Sequence, residues 1–218
     1  MEWGKVKVIL FDIDGTLSES DDQIVADVEK GFKIPLFMLS DQNRHRFARW
    51  LVMALESPGN FLYNLADRVS LDSTLINLLN RQTRAKKHKI KKYWIVPGVE
   101  RMLARLNSRL LMGIVSARDE ASSLAFVHQF GLGRYFHIVV TSQTCQHTKP
   151  FPDPLLYAAE QLKVKPENCL MVGDTTVDIR AARLAGMQSV GVLCGFGTRR
   201  ELMRAGADLI LNSPAEIL

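Results

Sequence analysis

The stretch VKVILFDIDGTLSES, residues 6–20, decides the fold. Residues 6–11 are rich in Val, Ile and Leu and show no polar alternation, the pattern of a central parallel strand covered on both faces. Two carboxylates, Asp12 and Asp14, follow at once. Carboxylates beside a buried strand are costly unless something pairs with them, so they bind a cation or they react. Residues i and i+2 of an extended chain point the same way, roughly 6.6 Å apart, which leaves room for a reacting group between or beside them. Gly15 lets the backbone turn away immediately.

Similar short apolar runs recur from Val96 onward: LLMGIVS (110–116), HIVVTS (137–142), CLMVGD (169–174), SVGVL (189–193) and DLIL (208–211). Helical segments separate them. PGVERMLARLN opens on Pro97 and Gly98, and DEASSLAFVHQFG has Asp119 as N-cap and stops at Gly131. DPLLYAAEQLK has Asp153 as cap and Pro154 at the first helical position. VDIRAARLAG closes on Gly186, placed for a left-handed C-cap. This alternation predicts the α/β class, a doubly wound parallel sheet with a Rossmann-like core. Residues 18–95 break the rhythm. They hold no comparable strand runs, whereas DDQIVADVEKGF, SDQNRHRFARWLVMAL and LDSTLINLLNRQTRAKKH carry apolar residues at helical spacing. Ser40 and Ser57-Pro58-Gly59 punctuate them. The expected organisation is a core of residues 1–17 and 96–218 with an inserted α-helical cap of residues 18–95. Hinges are expected near Leu17-Ser18 and Ile95-Pro97.

In an open α/β sheet, ligands bind in the crevice outside the carboxyl ends of the strands. The first such end carries Asp12, Asp14, Gly15 and Thr16, and the next Ser116, Ala117 and Arg118. Lys149-Pro150 lies beyond the third, and the fourth gives Gly173-Asp174 with Asp178 four residues on. Asp174 and Asp178 fall one turn apart if a helix begins between them. Four acids near one point repel one another. A divalent cation relieves that, and all-oxygen ligation completed by water favours Mg²⁺. Ser116 offers a neutral hydrogen-bond donor and Lys149 a positive charge. Singly, each has an ordinary reading: Asp14-Gly15 as a turn, Asp178 as a surface helix acid, Ser116 as a loop hydroxyl. Their occurrence together at successive strand ends points to chemistry.

In order, DIDGT, the Ser ending the second strand, the KP of a later loop and GDTTVD resemble the four signatures of the haloacid dehalogenase superfamily. Residues 18–95 look like its helical cap. The stretch from KPFPDP through GFGTRRELMRAGADLILNSPAEIL is similar to the phosphoglycolate phosphatase-like branch. The resemblance implies a Mg²⁺-dependent phosphatase that hydrolyses a small phosphorylated metabolite, phosphoglycolate foremost, through an aspartyl-phosphate. It implies Asp12 as nucleophile. Asp14 would protonate the leaving oxygen, then deprotonate the hydrolytic water. Mg²⁺ is expected on Asp12, Asp174 and the Asp14 backbone carbonyl, with Asp178 bracing the metal site or Lys149. Ser116, Ala117, Arg118 and Lys149 are expected to meet the substrate, and Thr16 to orient the phosphoryl group or Asp14. An ionised carboxylate attacking a phosphate dianion meets like-charge repulsion, so catalysis must be positioning plus charge neutralisation. Asp14 sets the chain apart from actual dehalogenases, which lack its equivalent and need no Mg²⁺.

Two alternatives stand beside this reading: a sugar-phosphate mutase of the same superfamily, and a non-catalytic anion- or nucleic-acid-binding module that keeps the fold. Intact Asp12, Asp14, Lys149 and Asp174 speak against the second. Arg118 departs from the commonest pattern after the second signature, where a small or amide residue often follows. It has two readings, a contact to a substrate anion or a pairing with Asp119 or a cap acid. His147 reads as an exposed loop histidine, Tyr93 and Trp94 as packing at the cap hinge, and Cys145 as inert.

Composition fits this picture. The chain has 218 residues, 47% of them hydrophobic and 23% charged, which suits one large domain or a domain with an insert. No apolar run reaches the ~20 residues of a membrane span. The opening MEWGKVKVILFDID puts acids directly after its apolar run and lacks a small-residue cleavage site, so it does not read as a signal peptide. Cys145, Cys169 and Cys194 are odd in number and widely spaced, with neither metal spacing nor a disulfide framework. A reducing, cytoplasmic setting is expected. The net charge is +5, and residues 18–95 carry 13 Lys and Arg against 9 Asp and Glu. RAKKHKIKK (84–92) has three readings: steering of an anionic substrate, a nucleic-acid contact, or a solvated end of a cap helix. No aromatic ladder accompanies it, which makes the nucleic-acid reading the weakest. Arg44, His45, Arg46 and Arg49 are a further candidate source of substrate contacts. A monomer and a homodimer are both open.

Overall fold

The computed structural model describes residues 1–19 and 93–217. The expected cap helices, the basic run 84–92 and Arg44, His45, Arg46 and Arg49 lie outside the described residues. Within them, six strands form one parallel sheet: β1 (Val8–Phe11), β2 (Leu111–Val115), β3 (Ile138–Val140), β4 (Cys169–Gly173), β5 (Gln188–Val192) and β6 (Leu209–Leu211). Their spatial order is β3-β2-β1-β4-β5-β6. The helices are α1 (Val99–Leu106), α2 (Glu120–Gln129), α3 (Asp153–Gln161), α4 (Thr176–Leu184) and α5 (Arg199–Ala205).

The unbroken apolar run of β1 is explained by burial on both faces. Ile9 and Phe11 join a core with Met102 and Leu103 of α1 and Phe126 of α2. Val8 and Leu10 join a second core with Leu155 and Ala158 of α3 and Ala181 and Ala182 of α4. Alternate residues of one strand thus feed two layers, as the pleat requires. The chain winds outward from β1 through β2 to β3, then returns to place β4 on the other side of β1. The crevice at such a reversal is where open α/β sheets place ligands. Phe11 is in register with Val172, so Asp12 and the 173–174 segment emerge side by side. The Asp12 amide donates to the Val172 carbonyl at 3.0 Å.

The expected hinge positions are paired across the gap in sequence. Ser18 and Ile95 form an antiparallel bridge. The Val96 amide donates to Leu17 O, and the Glu19 amide to Trp94 O, each at 2.9 Å. Tyr93 packs edge-on against Phe126 at 5.9 Å, but the Trp94 side chain stands about half exposed. Asp119 caps α2 by accepting from the Ser122 amide at 2.9 Å. Asp153 is the first residue of α3 rather than its cap, which is Pro152; the shift of one residue is usual at helix ends. Gly186 adopts the left-handed conformation after α4, at φ 70°.

Candidate active site

Every strand end named from the sequence contributes to one crevice. A cavity of about 140 Å³ is lined by Asp12, Asp14, Ala117, Arg118, Lys149, Thr175, Val177 and Asp178. Lys149 sits at its base, and its Nζ donates to Asp12 Oδ1 at 2.8 Å and to Asp178 Oδ1 at 2.6 Å. All three residues are buried. The second oxygen of Asp178 accepts from the Thr175 hydroxyl at 2.7 Å and the Thr175 amide at 3.1 Å, closing a capping box at the start of α4. Both Asp178 oxygens are therefore engaged in holding Lys149 and the helix start.

Asp174 is fully buried beside this pair. The Phe196 amide donates to its Oδ2 at 2.7 Å, and the Thr16 hydroxyl makes a long 3.5 Å contact to its Oδ1. Thr16 thus aims at Asp174. The backbone has to pass very close here. A Cβ at Gly15, which has φ 69°, would stand 2.3 Å from Asp174 Oδ2, and a Cβ at Gly195 only 2.0 Å from it. Cys194 donates its thiol to Gly15 O at 3.2 Å and so ties the loop after β5 to the turn after β1.

Among the described residues, the cluster is short of positive charge. Burial pushes the Asp12 carboxyl up to about 7; Lys149 pulls the other way, and Asp178 and Asp14 add repulsion. Burial, then Asp178 and Asp12, push Asp174 well above the usual carboxylate range, against the pull of the Phe196 amide. Burial also disfavours the Lys149 ammonium, but Asp12 and Asp178 outweigh it and the net shift is upward. Oxygens of Asp12, Asp174 and Asp178 lie within 4.8 Å of one another, so these three carboxylates could hold a metal ion. Such an all-oxygen donor set suits a hard divalent cation.

Asp14, by contrast, is paired with Arg118. Arg118 Nε donates to Asp14 Oδ2 at 2.6 Å, and Nη2 donates to Asp14 Oδ1. This is not the pairing with Asp119 that the sequence suggested, and the cap acids lie outside the described residues. The guanidinium lies over the Tyr93 ring at 4.8 Å and near the Phe126 ring at 5.9 Å. The Arg118 amide donates to Ser116 Oγ at 3.2 Å, which leaves the Ser116 hydroxyl hydrogen available to a ligand oxygen. His147 is held by Asp153 at 3.0 Å and stacks on Phe151, at the rim of the loop that carries Lys149.

A family model described as haloacid dehalogenase-like hydrolase matches residues 9–192. The chain belongs to the haloacid dehalogenase-like hydrolases. A phosphoglycolate phosphatase from Nitrosococcus oceani is 28% identical over 97% of this chain and 94% of its own length. The phosphoglycolate phosphatase of Escherichia coli is 31% identical over 57% of this chain and 50% of its own length. Among solved structures, a haloacid dehalogenase-like family hydrolase from Streptococcus pneumoniae shares the fold, with a TM-score of 0.71 at 22% identity over 98% of this chain and 97% of its own. An insert after the first strand is consistent with this family. Sequence reasoning about this haloacid dehalogenase-like hydrolase missed two features. The Arg118–Asp14 pair joins residues 104 apart and has no local signal. The loop 194–197 could have been noticed from the glycines of CGFG, which follow a strand end just as DG follows β1.

Proposed function

We propose that this hydrolase cleaves a small phosphomonoester, phosphoglycolate-like esters foremost, in two steps through a phosphorylated Asp12, with Mg²⁺ as cofactor in a cytoplasmic setting. The observation that carries the reading is the convergence of Asp12, Asp174, Asp178 and Lys149 in one buried cluster beside Asp14. Family membership and the phosphoglycolate phosphatase relatives support a phosphoric monoester hydrolase.

Asp12 Oδ1 is taken by Lys149, so Oδ2 is the oxygen assigned to attack phosphorus. The ester oxygen leaves with a proton from Asp14. Asp14, now a base, takes a proton from water, and the resulting hydroxide cleaves the acyl phosphate and restores Asp12. Lys149 holds Asp12 in place and faces one phosphoryl oxygen, and Ser116 donates its hydroxyl to another. Asp178 keeps Lys149 aimed. Asp12, Asp174 and the Asp14 carbonyl are the groups assigned to hold the metal, with Asp178 left to hold Lys149 and the start of α4. When bound, Mg²⁺ supplies the positive charge that lets Asp12 ionise and offsets the charge of the phosphoryl oxygens. No helix among the described residues is long and apolar enough to cross a membrane. The core of residues 1–17 and 96–218 carries the chemistry in this reading.

The test is hydrolysis of 4-nitrophenyl phosphate with and without Mg²⁺. Activity that EDTA abolishes and Asp12→Asn removes supports the reading. Wild-type rates in Asp12→Asn overturn the nucleophile, and an inactive wild type across a broad panel of phosphate esters overturns the phosphatase. A sugar phosphate whose phosphoryl group moves to another hydroxyl, without release of inorganic phosphate, would instead mark a mutase.

A further inference from the structure

Arg118 holds the carboxylate that the proposed reaction needs free. Its fork takes both oxygens of Asp14 while its side chain is only 16% exposed. It lines the same cavity as Asp12 and Lys149. Its third nitrogen, Nη1, is buried and has no hydrogen-bond partner among the described residues. The guanidinium lies 4.8 Å from the Tyr93 ring centroid and 5.9 Å from that of Phe126, contacts it would give up by following Asp14 when Asp14 turns toward an ester oxygen. A buried guanidinium left without its carboxylate is strongly disfavoured. Asp14 therefore leaves Arg118 readily only if another anion takes its place.

We propose that Arg118 selects substrates bearing a carboxylate close to the phosphoryl ester, by exchanging its bidentate pair with Asp14 for one with the substrate. The geometry fits such an exchange, because a substrate carboxylate presents the same two-oxygen edge to the fork that Asp14 presents now. Binding and activation are then one event. The carboxylate that docks on Arg118 also releases Asp14, which, freed of the guanidinium, takes up a proton from solvent and then serves as acid. An ester without a carboxylate binds through Lys149 and Ser116 but leaves Asp14 clamped, so its penalty falls on kcat as well as KM.

This inference rests on the phosphatase reading and deepens it. The test is a cycle of two substrates, phosphoglycolate and ethyl phosphate, against wild type, Arg118→Met and Arg118→Lys. The wild type is expected to prefer phosphoglycolate by at least tenfold in kcat/KM, with part of the preference in kcat. Arg118→Met is expected to lower that ratio at least tenfold. Arg118→Lys keeps the charge but loses the fork, and is expected to fall between. A ratio that stays put while both substrates lose rate in parallel overturns the proposal and leaves Arg118 as a positioner of Asp14. A wild type with no preference overturns it as well. If Arg118→Met does not fold, the wild-type preference and the Arg118→Lys ratio decide. A wild type that hydrolyses neither these esters nor 4-nitrophenyl phosphate fails at the phosphatase reading itself. Turnover of both esters at equal efficiency fails only here.

Discussion

Asp12 is buried among acids, and its removal has a consequence for stability that can be worked out. Burial lifts its carboxyl to about 7, whereas an unfolded aspartate titrates at 3.8. Between those values the folded protein keeps a proton that the unfolded chain has released. Raising the pH through this window therefore favours unfolding, and Asp12 costs stability rather than adding it. The penalty is about 2 kcal/mol at pH 5 and about 4 kcal/mol at pH 8, at about 1.4 kcal/mol for each tenfold change in proton affinity. Asp12→Asn has no such penalty. In EDTA, its stability relative to wild type should therefore rise by about 2–3 kcal/mol between pH 5 and pH 8. Urea unfolding at several pH values measures the difference; groups away from the cluster cancel in it, and Asp174, which Asp12 pushes upward, adds in the same direction. Saturating Mg²⁺ should shrink the rise, because a cation binding the ionised carboxylate removes its cause. A difference that stays flat with pH in EDTA, or runs the other way, would refute the placement of Asp12 in a charge-poor cluster.

Other outcomes follow from the same geometry. Lys149→Met removes the one ammonium between Asp12 and Asp178, and should destabilise the metal-free protein by about 3–5 kcal/mol at pH 8 in urea titrations. Its kcat should drop by about a hundredfold or more, as expected when a preorganised charge at the reacting group is lost. Gly195→Ala would set a methyl 2.0 Å from Asp174 Oδ2, so Asp174 must move. Circular dichroism should stay native while the Mg²⁺-dependent rate falls by about a hundredfold. Cys194 has its thiol pushed by burial to about 12, so at pH 8 only about one molecule in ten thousand carries a thiolate there. Native protein should therefore resist alkylation at Cys194 by iodoacetamide, and denatured protein should label at once.

Much of this was legible because it is local. The VILF run of β1 needs apolar residues on both faces, and a chain that is apolar at every position of a short strand says so directly. The acids of DIDGT and GDTTVD sit one or two residues past strand ends, and parallel neighbours in register bring such ends together. Asp178 was placed by helical spacing, and the structure shows what that spacing serves, a bond to Lys149 and a cap on α4. The illegible part is long-range side-chain choice. Nothing near Arg118 in the sequence says that it turns to Asp14 rather than to adjacent Asp119, whose oxygens are occupied by Ser122. Nor does the sequence announce that Thr16 faces Asp174, since that follows from the tight approach of Gly15 to the loop after β5. Tyr93 was expected at the hinge, but its role under Arg118 depends on Phe126, more than thirty residues further along.

The central claim is that Asp12 carries the phosphoryl group, and acid-quenched turnover tests it most directly. Wild type mixed with Mg²⁺ and phosphoglycolate, quenched in acid and digested, should yield the peptide containing Asp12 with one added phosphoryl group, and Asp12→Asn should yield none. Steady release of inorganic phosphate with that peptide never modified, or modification on any other residue, would contradict the account.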